Sequence, residues 1–329
     1  MPPRSRAHQV GAALLMAMLT VTLVATFAAS AMWQQWRAVE VETAERGQVQ
    51  SAWILIGALD WSRLILSEDG RAGGPDHLAE PWAVPLEEAR LSTFLAAEGN
   101  VSQVDDASTD TTEAFLSGQI TDMQARLNIT NLVEGGQVMP VALRQFTRLF
   151  ERLGLPSQEL TLLVEGMRQA QSPAASDGSA APLMPPTVSQ LGWLGLTPST
   201  VAKLAPHVAL LPIRTPVNLN TAGVDVLMAA IEGIDMASVQ KIVQAREAKH
   251  FRNPAEVKDL IGATADVVNA EAFAIGSSYF EVRGRLRLGD AIVDERSLVR
   301  RQGRDVTTLW RERGAFDRDT AQSMPGAQR

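Results

Sequence analysis

Val10–Trp33 reads VGAALLMAMLTVTLVATFAASAMW, and between Ala7 and Gln35 there is no Asp, Glu, Lys or Arg. The 22 residues from Ala12 to Trp33 make about 33 Å of helix at about 1.5 Å per residue, close to the roughly 30 Å hydrocarbon layer of a bilayer. Residues 12–33 therefore read as a single transmembrane helix. Arg4 and Arg6 precede it, whereas Glu40, Glu42 and Glu45 outnumber Arg37 and Arg46 after it. The bias of basic residues toward the cytoplasm puts the amino end inside and everything after the span outside. A secretory signal cleaved after Ala31, at Ala29-Ser30-Ala31, is the competing reading, but the apolar run is long for a signal core and continues into helix. Val49, Ala52, Trp53, Ile56, Leu59 and Leu64 recur every three to four residues, which extends one helix as a stalk over 34–66.

Composition limits what the rest can be. The chain has 329 residues, 46% of them hydrophobic, with 30 Lys+Arg against 37 Asp+Glu. Roughly two domains with real cores are expected. With zero cysteines, thiol nucleophiles, zinc–thiolate sites, iron–sulfur clusters and disulfides are all excluded. A net charge of −7 and four histidines argue against a bulk polyanion binder and leave few ligands for a histidine-rich metal site. No GxSxG, HExxH or P-loop sequence is present, so catalysis has no anchor.

Beyond the stalk, two stretches stand out, D76-HLAEPWAVPL-86 and G118-QITDMQARLNITNL-132. In the first, Asp76, Glu80 and Trp82 frame a loop, and His77 beside Glu80 and prolines reads as a packed anchor rather than a metal ligand. In the second, Asp122 and Asn128 fall in a short strand-like run that turns toward a helix. Leu143, Phe146, Leu149, Phe150 and Leu153 share one helical face, and Leu160–Met167 follows. QSPAASDGSAAPLMPP, residues 171–186, reads as a flexible loop.

Two similar units come next, 191–211 and 217–260. The second opens on Val217-Asn218-Leu219-Asn220-Thr221-Ala222 and continues LMAAIEGIDMASVQKIVQAR over 227–246. It resembles a helix-hairpin-helix module, whose two glycines let backbone amides approach a phosphate. Gly233 supplies the first, but Asp235 stands at the second, where a carboxylate repels phosphate. After the helices, Phe280, Val282, Leu286 and Leu288 alternate with Glu281, Arg283, Arg285 and Arg287, a strand with one wet face. Ala291–Leu298 and Val306–Trp310 read as two more strands, and residues 314–329 as a disordered tail. Arg283–Arg313 holds nine arginines against five acids, a local excess of four that reads as a solvated face or a contact for an acidic partner.

Arg4 and Arg6, then Gly11, then an uninterrupted apolar helix resemble the start of a type IV pilin-like precursor. Taken with the stretches at 76–86, 118–132 and 217–260, the chain resembles the minor pseudopilin K family of type II secretion systems. The resemblance implies an α+β fold: a transmembrane and stalk helix, a pilin-like head with an antiparallel sheet, and a large inserted α-helical domain containing the helix-hairpin-helix-like units. It divides the chain into a leader (1–11), span (12–33), stalk (34–66), first part of the head (67–135), inserted domain (136–275), carboxyl-terminal strands (276–313) and tail. It further implies cleavage by a prepilin peptidase between Gly11 and Ala12 in the inner membrane, with the head in the periplasm. Residue +5 is then Met16, where most pilin-like subunits carry Glu.

The implied partners are minor pseudopilins I, J and H, the major pseudopilin G, the inner-membrane secretion platform and membrane lipid, with no nucleic acid and no catalysis. No cofactor is required. Calcium is possible by resemblance, with Asp105, Asp106 and Asp110 as weak candidates. A membrane-anchored helix-hairpin-helix DNA-uptake protein is the alternative.

Overall fold

The computed structural model describes residues 9–93, 114–171, 182–262, 268–269, 271–289 and 291–314. Residues 1–8 of the expected leader, the calcium candidates Asp105, Asp106 and Asp110, residues 172–181 of the expected loop and the tail from 315 lie outside them. Two compact units make up the chain, 1–54 and 55–329.

The first unit is the amino-terminal part of α1 (Gln9–Ala72). Its side chains from Ala12 to Arg46 are exposed, and the helix is long and apolar enough to cross a membrane. Its threonine hydroxyls within the apolar stretch make no demand on lipid: Thr20, Thr22 and Thr26 donate to the carbonyls of Ala17, Leu19 and Leu23 at 2.9, 2.9 and 2.8 Å. A polar group satisfied within its own helix costs little in hydrocarbon. The Arg37 guanidinium sits 5.7 Å from the centre of the Trp33 ring, a pairing of cation and indole that suits the edge of a bilayer.

The second unit begins with the end of α1 and carries a five-stranded antiparallel sheet. Its strands, in spatial as well as chain order, are β1 (Leu86–Arg90), β2 (Ala114–Asp122), β3 (Tyr279–Leu288), β4 (Ala291–Gln302) and β5 (Asp305–Gly314). Leu59 and Leu66 of α1 pack with Ile120, Phe280, Val282, Val299 and Val306 from the inner sheet face, and with Trp82. Trp82 is 1% exposed and meets Phe280 edge-on, with ring centroids 5.1 Å apart.

Apolar periodicity ends α1 at Leu66, but the helix continues to Ala72. Polar contacts rather than burial sustain the extra residues. Ser67 Oγ donates to Arg304 O at 2.7 Å, and Arg71 pairs with Glu68. Gly73, at φ +67, ends the helix. Here α1 presses on the β4–β5 turn so closely that a Cβ on Gly70 would lie 2.1 Å from Gly303 O.

The hairpin strands are longer than Ala291–Leu298 and Val306–Trp310. Their outer edge is β5, and its register slips opposite Leu298 and Val299, leaving Leu309 unmatched. Arg63 of α1 reaches the first turn of that edge, donating from both Nε and a terminal nitrogen to Val306 O at 3.0 and 2.7 Å.

The expected wet face of β3 is only partly wet. Tyr279 and Glu281 are buried, because Met123, Ala209 and Leu211 pack with Tyr279 and Leu298 on that side.

Between β2 and β3 the chain leaves the sheet and forms a helical body: α2 (Pro140–Arg152), α3 (Ser157–Gln171), α4 (Pro198–Leu204), α5 (Val224–Ala230), α6 (Met236–Ala248) and α7 (Pro254–Ile261). Phe146, Leu149 and Phe150 of α2 and Leu160, Leu163 and Met167 of α3 share its core, as the 3.6-residue period requires. Two short parallel pairings stitch the body together, Leu127–Asn128 with Val208–Ala209 and Val217–Asn218 with Phe273–Ala274.

Candidate functional site: a buried polar junction

Residues from three separated stretches of sequence meet where β2 gives way to the helical body. Asp122 ends β2 and caps a single 3₁₀ turn, Met123–Ala125. Its Oδ1 accepts from Gln124 N at 2.7 Å, while Oδ2 accepts from Asn218 Nδ2 at 3.0 Å, Thr221 Oγ1 at 2.6 Å and Ser277 Oγ at 2.6 Å. Burial pushes this carboxyl above its ordinary range, and the four donors are what make an ionised form tenable there.

The surroundings extend the same logic. Asn218, fully buried, also donates to Asp76 O at 3.2 Å and accepts from Asn220 N at 2.9 Å. Asn220 then bridges to the segment between α6 and α7, exchanging bonds with the backbone of Phe251 at 3.0 and 2.8 Å. Asp76 accepts from Ser277 N at 2.6 Å, and its own N–H donates to Ile275 O at 2.9 Å. A second knot lies close in sequence. Asn128 donates to Ile213 O at 2.7 Å and accepts from Thr130 N and Leu211 N, both at 3.1 Å. Asparagine serves here because its amide offers donors and acceptors at once to irregular backbone.

Glu80 anchors the loop beside Trp82. One of its oxygens accepts from His77 N and from Trp82 Nε1, each at 2.8 Å. Burial pushes Asp76 up to about 6 despite Arg301, and pushes Glu80 up to about 7. The His77 ring stacks on His250 at a centroid distance of 4.0 Å, and burial holds its pKa below the ordinary imidazole value.

The remaining sites stand apart. Ala222 is a fully buried core residue. Gly233 adopts φ +71 in the turn between α5 and α6, a conformation that favours glycine. Asp235 is the N-cap of α6: its Oδ1 accepts from Ser238 N at 2.7 Å, and the hydrogen bonding to Ser238 lowers its pKa. The chain's own carboxylate thus takes the helix N-terminus that a phosphate would use. Gly11, Ala12 and Met16 lie within α1, Met16 exposed.

The arginine-rich strands are mostly neutralised within the fold. Arg283, Arg285, Arg287, Arg296, Arg301, Arg311 and Arg313 pair with carboxylates, and Asp69, Asp76, Glu88 and Glu281 among those partners lie outside the arginine-rich segment. Sequence reading missed Ser277, Gln124 and Arg301, none of which carries a distinctive spacing. The alternation around Arg283 makes arginines on these strands look solvated, yet Arg301 is 10% exposed.

These features define a class: an α+β protein with an apolar amino-terminal helix fit for a single-pass anchor, an antiparallel sheet packed on the helix's end, and a helical body spliced between the second and third strands. Two models of type II secretion system protein K match the chain, at residues 125–213 and 217–276. It is 28% identical to type II secretion system protein K of Pseudomonas aeruginosa over 309 residues, covering 87% of this chain and 86% of that one. The Klebsiella pneumoniae protein of the same name is 27% identical, with 94% and 98% covered. Among solved structures, a chain of the GspK-GspI-GspJ complex from enterotoxigenic Escherichia coli superposes with a TM-score of 0.63 at 21% identity, covering 83% of this chain and 99% of that chain. The similarity is throughout to type II secretion system protein K, in the two family models and in both relatives, which span most of the chain. The DNA-uptake alternative finds no support in these relatives.

Proposed function

We propose that this minor pseudopilin assembles at the tip of a periplasmic pseudopilus and helps move folded proteins across the outer membrane. The observation that carries this reading is the uncharged helix from Ala12 to Trp33, exposed along its length, in a chain similar to type II secretion system protein K. Cleavage after Gly11 on the cytoplasmic face leaves this helix in the inner membrane with a free amine on Ala12. The rest of the chain then lies in the periplasm, in keeping with the basic residues before the span and the acidic ones after it.

Met16 is what argues for the tip. A carboxylate at that position pairs with the amine of the neighbouring subunit, because a charge in hydrocarbon needs a partner. A thioether makes no such pair, so this subunit has no polar link to one ahead of it. The complex named for the E. coli relative supports minor pseudopilins I and J as neighbours. H, the major pseudopilin G, the prepilin peptidase and the secretion platform complete the set. The α5–α6 turn and its counterpart at 191–211 act as helix-hairpin-helix-like scaffold, with Asp235 turning phosphate away.

Amino-terminal sequencing of the protein from secreting cells tests the reading. Ala12 as first residue, with the protein in the membrane fraction, is expected. A soluble product starting at Met32 overturns it.

A further inference from the structure

Asp69 near the end of α1, and Asp76 and Glu80 in the loop after it, each bring a carboxylate oxygen to within 4.8 Å of the others. Three hard oxygens at that spacing are what a divalent cation seeks, and they line a polar cavity of about 410 Å³. A cation is already there, but it is a side chain. Arg301 of β4 donates through one terminal nitrogen to Asp69, and through the other to Asp76 Oδ1 at 2.5 Å and to Ser277 O at 3.0 Å. Its guanidinium lies 4.8 Å from the centre of the Phe280 ring, on the wall of the core. Both oxygens of Asp76 are already engaged, Oδ1 by Arg301 and Oδ2 by Ser277 N, and the guanidinium between Asp76 and Asp69 repels a second cation, so the residues as arranged do not fit calcium.

We propose that Arg301 takes the place of a divalent cation at the Asp69–Asp76–Glu80 cluster, so that the end of α1, its following loop and the β4–β5 hairpin close without calcium. Geometry makes the substitution apt. A guanidinium is planar and permanently charged, and its fork meets two carboxylates from different elements at once, as a chelated ion does. It carries one charge where calcium carries two. The raised pKa values of Asp76 and Glu80, driven by burial, let protons offset the remaining negative charge. Removing the guanidinium while leaving the carboxylates should turn the cluster into a calcium site.

The test uses the full chain in detergent, with thermal unfolding followed in chelator and in millimolar calcium. For Arg301→Ala, Tm in chelator is expected to fall on the order of 10 °C, and calcium to restore at least half of the loss. Adding Asp76→Asn to Arg301→Ala should abolish the restoration, whereas Asp76→Asn alone should leave the parent's calcium response unchanged. An Arg301→Ala protein whose calcium response equals the parent's overturns the proposal. So does a parent calcium response that Asp76→Asn removes, since the ion then already occupies the cluster.

Should Arg301→Ala not fold, terbium decides with the parent alone, because Trp82 Nε1 lies 2.8 Å from Glu80 Oε2 and would sensitise an ion bound there. No luminescence dependent on Trp82 is expected. A signal lost in Trp82→Phe overturns the proposal.

Discussion

Asp122 is a fully buried carboxylate held by four donors from four different residues. Asp122→Ala leaves those donors facing each other without an acceptor, and a loss of about 3–5 kcal/mol is expected from urea unfolding. Asp122→Asn keeps the shape but turns one acceptor into a donor, and should lose less. The neighbouring carboxyls set a pH dependence with an unusual sign. Folding raises Asp76 from 3.8 to about 6 and Glu80 from 4.5 to about 7. The folded chain therefore holds more protons than the unfolded one between those values, so their contribution is full below about pH 4 and is lost as pH rises through 6 to 7. His77, lowered by burial, works the other way, its share lost as pH falls through its folded pKa. The clean readout is thus a difference: Asp76→Asn should flatten the fall in urea midpoint between pH 5 and 8 relative to the parent. A steeper fall in the variant would contradict the assignment.

The polar residues of this junction were visible in the sequence only as isolated motif positions. Asp76, Asp122 and Asn218 lie far apart along the chain, and nothing in local spacing says that one amide will touch both acids' neighbourhoods. Ser277 and Arg301 left still less trace. A serine beside another serine, and an arginine among arginines, look like turn and surface until the sheet is assembled.

At the level of elements, helices and strands followed from periodicity wherever burial alone built them, as in α2 with Phe146, Leu149 and Phe150. They failed where backbone contacts took over. The end of α1 is an example: its apolar stripe stops, but the Ser67 hydroxyl and the Asp69 carboxylate still find partners on the hairpin, the Arg304 carbonyl and the Arg301 guanidinium. Two glycines of this helix separate the effects. Gly57 has nothing within 4 Å of a built Cβ, so Gly57→Ala should stabilise by roughly 0.5–1 kcal/mol through helix propensity. Gly70 gains the same propensity, but its new methyl meets the Gly303 carbonyl, which is backbone and cannot swing aside. Gly70→Ala should therefore lose about 1–3 kcal/mol net. Urea midpoints of the two variants, moving in opposite directions, check the packing of α1 on the hairpin.

For the whole molecule, the apolar amino-terminal helix was the most legible part, since uncharged length is a property of sequence alone. The splice of a helical body between β2 and β3 could be anticipated only by resemblance, because strand order depends on contacts more than 150 residues apart, such as Ser277 with Asp122. The proposed tip role makes a prediction at this scale. Met16→Glu introduces a carboxylate into the span at a cost of about 2.5–3.5 kcal/mol if it finds no partner. In cells, secretion should fall and the variant should be depleted from the membrane fraction. Unchanged or improved secretion would place the subunit inside the fibre, with a neighbour's amine ahead of it.

The guarded rim of β5 has a consequence for crowding. Under the proposed anchoring, heads tethered to one bilayer meet at high local density, and an open strand edge there invites a neighbour's backbone to zip alongside. With Arg63 already clasping the Val306 carbonyl and the ladder knocked out of step at Leu309, an incoming strand finds its first acceptor engaged and its spacing broken. Crowded copies are thereby kept from fusing sheet to sheet, and the contacts left for ordered assembly are those between side chains and rods.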